Sequence, residues 1–326
     1  MYLKLFCLVF SSLFFQHYAL SQGLPQQIKT SFSRYPVKAG DCTKITHTSG
    51  SIIYIEEGAI SSGLDSVIIH YRELHTPLDM IVHDIQMHTM LGDKIYLEST
   101  GMFEIYALAG GDTITIAPGK TIEVRMAITS RKVDPRVEGY IYDREQEHWQ
   151  NFTNQINILK IDDDDNLWGS PPVSNASAVD NNLPAELEEG WGTGEPNAKL
   201  KKVLQTMSIN QFGLYNFDKM LGGFNYTYVK ADFIDNKSKP VQSTIYLVYK
   251  NINSVFYFPP SSWQSDFFII QNQPYKLFTI NKDGTVLQLS KYPTLSTIAN
   301  KQYIFALENI GKPANRRDLS SKIGIQ

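Results

Sequence analysis

Between residues 66 and 127 the chain alternates apolar and polar residues and is broken by short turn signals, a pattern that suits strands and excludes long helices. In residues 65–73, Val67, Ile69 and Tyr71 fall on one face and Ile68, His70 and Arg72 on the other. Ile122, Val124 and Met126 alternate with Glu123 and Arg125 in the same way. Residues 77–82, 94–98 and 102–107 read as further strands, the last two separated by Ser99, Thr100 and Gly101. Gly110, Gly111 and Asp112 mark a tight turn, and residues 139–143 extend the series with Trp149 packing nearby. Short strands, frequent turns and no helical period predict a β-sandwich over residues 43–160.

The start of the chain has a different character. Residues 1–21 carry Lys4, an apolar stretch from Leu5 to Phe15 and the small-x-small triplet Ala19-Leu20-Ser21, the pattern of a cleaved export signal. The apolar stretch is short for a membrane span and is interrupted by Gln16 and His17, so no transmembrane segment is expected after cleavage. Cys7 lies inside this segment, which leaves Cys42 alone and excludes an internal disulfide framework. Removing 21 of 326 residues leaves 305, a length that fits two domains. A net charge of −3 without a basic tract argues against a nucleic-acid partner.

Residues 22–42 are polar and turn-rich and read as a loose leader. Residues 161–199 are acidic and rich in turn formers, which reads as a linker. A second β-sandwich is expected over residues 200–313. Its candidate strands are 227–234, 243–249, 254–258, 275–280, 286–289 and 302–308, with Asp283-Gly284 as a hairpin turn. Residues 314–326 read as a frayed polar tail. The predicted fold class is therefore all-β, two β-sandwich-like domains joined by an acidic, turn-rich linker.

Three sequence pieces carry a resemblance: Tyr71-Arg72-Glu73, the run Glu98 to Ile105, and Gly119 to Val124. Together they resemble a module of exported proteins from Bacteroidetes-type bacteria, itself distantly similar to the β-sandwich of ankyrins, netrin receptors and zonula occludens proteins. Phe212 to Asp218 resembles the region that follows that module. The resemblance implies protein–protein contact. The His-Phe-Ser tripeptide at which some eukaryotic relatives cut themselves is missing from this sequence, so self-cleavage is not implied.

Four histidines, His70, His75, His83 and His88, fall within 19 residues and are the candidate metal ligands. Spacings of five residues put members of a pair on opposite faces of a continuous strand, so only returning loops would gather them. Arg72, Glu73, Glu98 and Glu104 offer either an acid/base set or cross-strand ion pairs, and the pairing reading is the stronger. Asp162 to Asn166 supplies oxygen ligands. An EF-hand counted from Asp162 would need Gly and Glu where Leu167 and Val173 stand, so the segment reads as solvated linker. Trp168, Trp191, Tyr215 and Trp263 are the candidate binding-surface rings, with local core packing as the alternative. No nucleophile elbow, phosphate loop, dinucleotide fingerprint or Cys-x-x-Cys pair occurs, and no cofactor is implied.

These features favour a non-enzymatic exported protein of the periplasm, outer-membrane surface or extracellular space. It would bind protein or glycan at the cell envelope or serve as a structural module. The alternative is a secreted hydrolase of polysaccharide or peptide that uses the His70–His88 group or the strand carboxylates.

Overall fold

A computed structural model describes residues 24–60, 62–91, 93–128, 134–153, 156–161, 202–293 and 301–325. The chain begins with strands β1 (Ser33–Lys38), β2 (Thr43–Thr46), β3 (Ile52–Ile55) and β4 (Ser66–Leu74), followed by helix α1 (Pro77–Val82). Next come β5 (His88–Leu91), the long β6 (Asp93–Ala109), β7 (Asp112–Ile114) and β8 (Ile122–Ala127). Strands β9 (Glu138–Asp143), β10 (His148–Thr153) and β11 (Asn157–Ile161) precede β12 (Lys202–Ile209) and β13 (Gly213–Met220). The remainder comprises β14 (Tyr226–Tyr228), β15 (Lys230–Asp235), β16 (Ile245–Tyr249), β17 (Phe256–Phe258) and β18 (Phe268–Ile270). It closes with β19 (Tyr275–Ile280), β20 (Val286–Leu289), β21 (Gln302–Gly311) and helix α2 (Arg316–Ile323). The architecture is all-β, as the alternation predicts.

The layers follow from which side chains each strand buries. One sheet runs β1-β4-β6-β13-β9-β10-β5 with β7 against β6, and a second runs β11-β12-β8-β3-β2. Val67, Ile69, Tyr71, Phe103 and Ile105 from the first sheet meet Ile53, Ile55, Ile122, Val124 and Met126 from the second in one core. That is the expected sandwich, with the predicted faces of β4 and β8 turned inward.

The other face of the large sheet, carrying Leu74, Met102, Tyr140 and Trp149, packs on α1, on α2 and on Tyr246, Val248, Tyr257 and Phe278. These last belong to a third sheet, ordered β15-β21-β20-β19-β16-β17. Its opposite face forms a further core with β18 and the rings Phe256, Phe267 and Phe305. Strand β16 is buried along its whole length, which explains its uninterrupted apolar run.

Several expectations change. Residues 77–82 form a helix, because Thr76 and Asp79 cap its start reciprocally and Pro77 opens the first turn. A six-residue segment is too short for periodicity to separate strand from helix, and here the cap decides. The leader supplies β1, paired antiparallel with β4 from Ser33↔Tyr71 to Lys38↔Ser66. The tail forms α2, capped by Asn315 and Gly324, with Leu319 and Ile323 fully buried.

Residues 94–98 and 102–107 belong to one strand. Its register against β13 slips between Phe217 and Asp218, and Gly101 sits at φ 152° beside the slip. That φ is one that residues with a side chain rarely adopt, and an added Cβ would also crowd the Met126 tip and the His75 ring, so the bulge favours glycine there. Strands β12 and β13 follow the boundary expected at residue 200 yet complete the first sandwich. β12 pairs with β8 and β11, and β13 with β6 and β9. Residues 1–21 and nearly all of 161–199 lie outside the described residues.

Candidate functional site

The four histidines occupy four separate settings. His70 stands on the outer face of β4, nearly buried, its ring stacked on Tyr106 at 4.5 Å. His75 lies between β4 and α1 with Nε2 2.9 Å from Glu73 Oε2. His83 caps the C-terminus of α1, and its Nε2 accepts the Thr30 N–H at 3.1 Å. Burial, and then the Arg72 charge, push His83 down to about 3, so the ring stays neutral and keeps that acceptor. His88 on β5 is pushed to about 3 by burial and by Lys94, its ring 6.5 Å from that of His148. Among the described residues no three His, Cys, Asp or Glu side chains are grouped to hold a metal ion.

The strand carboxylates are likewise separated. The β4–β6 register sets Arg72 opposite Glu104. Arg72 Nε donates to Glu104 Oε2 at 2.9 Å, Nη2 donates to the same oxygen, and Arg144 Nη2 reaches Oε1 at 2.6 Å. Arg72 also donates to the Thr30 carbonyl at 2.9 Å and lies 4.2 Å over the Phe32 ring. One residue along, Glu73 points to the sandwich interior. It accepts from the Tyr71 hydroxyl at 2.9 Å and from Ser49 Oγ at 2.8 Å. Burial works to raise the Glu73 pKa, but hydrogen bonds from His75, Ser51 and Ser49 outweigh it and hold the carboxyl at about 2. Strand alternation therefore puts Glu73 and Glu104 on opposite faces of one sheet, and they cannot flank one bond.

Asp79 is the hub of the seam. It accepts from the backbone N–H groups of His75 and Thr76 at 3.1 and 3.0 Å, from Thr30 Oγ1 at 2.9 Å and from Arg316 Nη2 at 2.7 Å. One carboxylate thus joins the chain's first described segment, α1 and α2. The seam is reinforced by the Tyr257 hydroxyl donating to the Met80 carbonyl at 3.0 Å, and by Asn253 Nδ2 donating to the His75 and Ser99 carbonyls at 2.9 Å each.

Of the rings singled out in the sequence, Tyr215 is fully buried and stacked on Phe103, its hydroxyl donating to the Gln211 carbonyl at 2.7 Å. Trp263 packs edge-on to Phe233 and donates Nε1–H to the Phe258 carbonyl at 2.8 Å. Both rings serve as packing, since each is buried with its polar tip given to a backbone carbonyl of this chain. Trp168 and Trp191 lie outside the described residues.

The rings that do reach solvent are tyrosines that the sequence reading passed over. A chain of ring contacts runs from Tyr292 to Tyr275 at 5.0 Å, to Tyr249 at 6.0 Å and to Phe256 at 5.5 Å. It continues to Phe268 at 5.5 Å and ends on Tyr228 at 5.7 Å. The two ends emerge: Tyr292 is 46% exposed and Tyr228 47%. At the Tyr292 end a cleft of about 510 Å³ opens between β14, the β18–β19 turn and residues 292–293. The sequence signal lay in the flanks, because Tyr275 follows the turn Gln271-Asn272-Gln273-Pro274 and Tyr292 precedes Pro293.

Compared with protein-family models, with curated proteins and with solved structures, the chain gives no match.

Proposed function

We propose that the chain is an exported, non-enzymatic binding module of the cell envelope. Its contact surface is the exposed tyrosines at the two ends of the ring cluster, Tyr228 on β14 and Tyr292 beside the cleft. The carrying observation is the continuous ring cluster with Tyr228 and Tyr292 exposed at its ends. Tyrosine combines a large apolar face with a polar tip and few rotatable bonds, which is why it anchors contacts with proteins and sugars. Supporting this reading, the ionisable groups that a hydrolase would need are engaged in hydrogen bonds between structural elements, with Glu73 and Glu104 on opposite sheet faces. Residues 1–21 supply the export pattern in the sequence.

Co-sedimentation of the purified chain with envelope fractions tests the reading. Wild type and Glu73→Gln pellet with the envelope, and Tyr228→Ala/Tyr292→Ala stays in the supernatant. Release of reducing ends or peptides from those fractions by wild type, lost in Glu73→Gln, would replace the reading with a hydrolase.

A further inference from the structure

The cleft at Tyr292 has a composition that narrows its ligand. Its walls include two rings, Tyr275 and Tyr292, set at 75° with centroids 5.0 Å apart. Its rim carries three consecutive amides, Gln271, Asn272 and Gln273, with Thr227 on the adjoining strand. Gln271 Nε2 donates to Thr227 Oγ1 at 2.7 Å, which fixes the orientation of that amide. The remaining described lining is aliphatic or proline, and no Lys, Arg, His, Asp or Glu contributes to it.

We infer that this cleft is a binding site for an uncharged glycan. The inference rests on the binding-module reading above and deepens it. A pyranose ring presents a flat C–H face bordered by hydroxyls. The C–H face packs on an aromatic ring, and each hydroxyl both donates and accepts. A side-chain amide offers two donors and an acceptor, so these amides can meet sugar hydroxyls as both donor and acceptor, with one Gln271 donor already given to Thr227. The angled tyrosines give one ring to lie beneath a sugar and a second to close its side.

Charge complementarity excludes the competitors. A phosphate or nucleic-acid ligand calls for Lys or Arg, and a metal ion for carboxylates or imidazoles; among the described residues this lining has none. A proline-rich peptide also docks on aromatic grooves, but it offers carbonyls and almost no N–H, which would leave the amide oxygens unmatched.

The test is calorimetric titration of the full chain with cello-, malto-, xylo- and manno-oligosaccharides and with oligoproline as the competing probe. At least one oligosaccharide binds, and Tyr292→Ala weakens that binding tenfold or more while the thermal unfolding midpoint stays within error, because the ring is half exposed. Gln273→Ala weakens it less. Silence of every oligosaccharide overturns the inference, as does unchanged affinity in Tyr292→Ala or displacement of the sugar by oligoproline. If the oligosaccharides fail while envelope co-sedimentation still depends on Tyr228, the glycan assignment falls and the binding-module reading stands.

Discussion

Two regions of this molecule use opposite chemistry. Where the first sandwich meets α1 and α2, the surface is dense in charge: Arg72, Glu104, Arg144, Asp79 and Arg316 are bound to one another or to backbone. In the cleft beside β14 and the β18–β19 turn, the described walls are neutral rings, amides and aliphatic groups. Charged groups placed between layers need partners that satisfy them, and once satisfied they hold a fixed geometry and are unavailable to a ligand. Neutral amphipathic rings tolerate half-exposure without a partner, so they can wait at a surface. In this chain, charge therefore assembles the fold, and in the function proposed above it is the neutral aromatic surface that binds.

The largest break in that comparison comes from the seam's apolar part. Leu319 and Ile323 of α2 are fully buried in the core that α1, the large sheet and the third sheet share. Each replacement by Ala leaves a cavity and costs about 2–5 kcal/mol. Leu319→Ala/Ile323→Ala is expected to shift the denaturation midpoint sharply. An unchanged midpoint would detach the C-terminal helix from the fold.

A smaller effect tests the charged part. Asp79→Ala removes the acceptor shared by Thr30, Thr76 and Arg316, and costs about 2–4 kcal/mol, below a fully buried pair because Arg316 is partly exposed. Urea titration reads it directly. A loss under about 0.5 kcal/mol would make this hub a surface ion pair of no consequence.

The smallest effect is also the most specific, because it depends on pH. Glu73 is held at about 2 in the folded chain against an ordinary 4.5, so its carboxylate form is preferred on folding. The stability it contributes is complete above about pH 4.5 and is lost as pH falls from there toward about 2. Wild type should therefore exceed Glu73→Gln by about 2–3 kcal/mol near neutrality, and the gap should close across that window. A gap that does not narrow would mean that Glu73 contributes through shape alone.

Much of the first sandwich was legible because each strand's faces are written in its own alternation. The inward set Val67, Ile69, Tyr71 and the set Ile122, Val124, Met126 are both buried as read. The tight turn at Gly110-Gly111 and the use of strand-borne Arg and Glu as ion pairs were legible for the same local reason, while the particular partner, Glu104 for Arg72, came only with the register. Strand partnership was not, since alternation says which face is buried and nothing of which strand lies alongside. That is why β12 and β13, beyond residue 200, complete a sandwich begun before residue 60, and why β1 and α2 emerge from segments that read as loose ends.

The candidate site was the least legible part. Tyr215 and Trp263 look as exposable as Tyr228 and Tyr292 in the sequence, and only the stacking of layers buries the first pair and leaves the second in solvent. The histidines cluster in sequence, but a strand, a helix cap and a separate hairpin carry them apart.

The division between assembling charge and binding surface is tested most directly by measuring two variants side by side, each for unfolding midpoint and for oligosaccharide affinity. Glu73→Gln should lower the midpoint and leave affinity unchanged, while Tyr292→Ala should lose at least tenfold in affinity at an unchanged midpoint. The reverse pattern, with affinity lost in Glu73→Gln and kept in Tyr292→Ala, would contradict it.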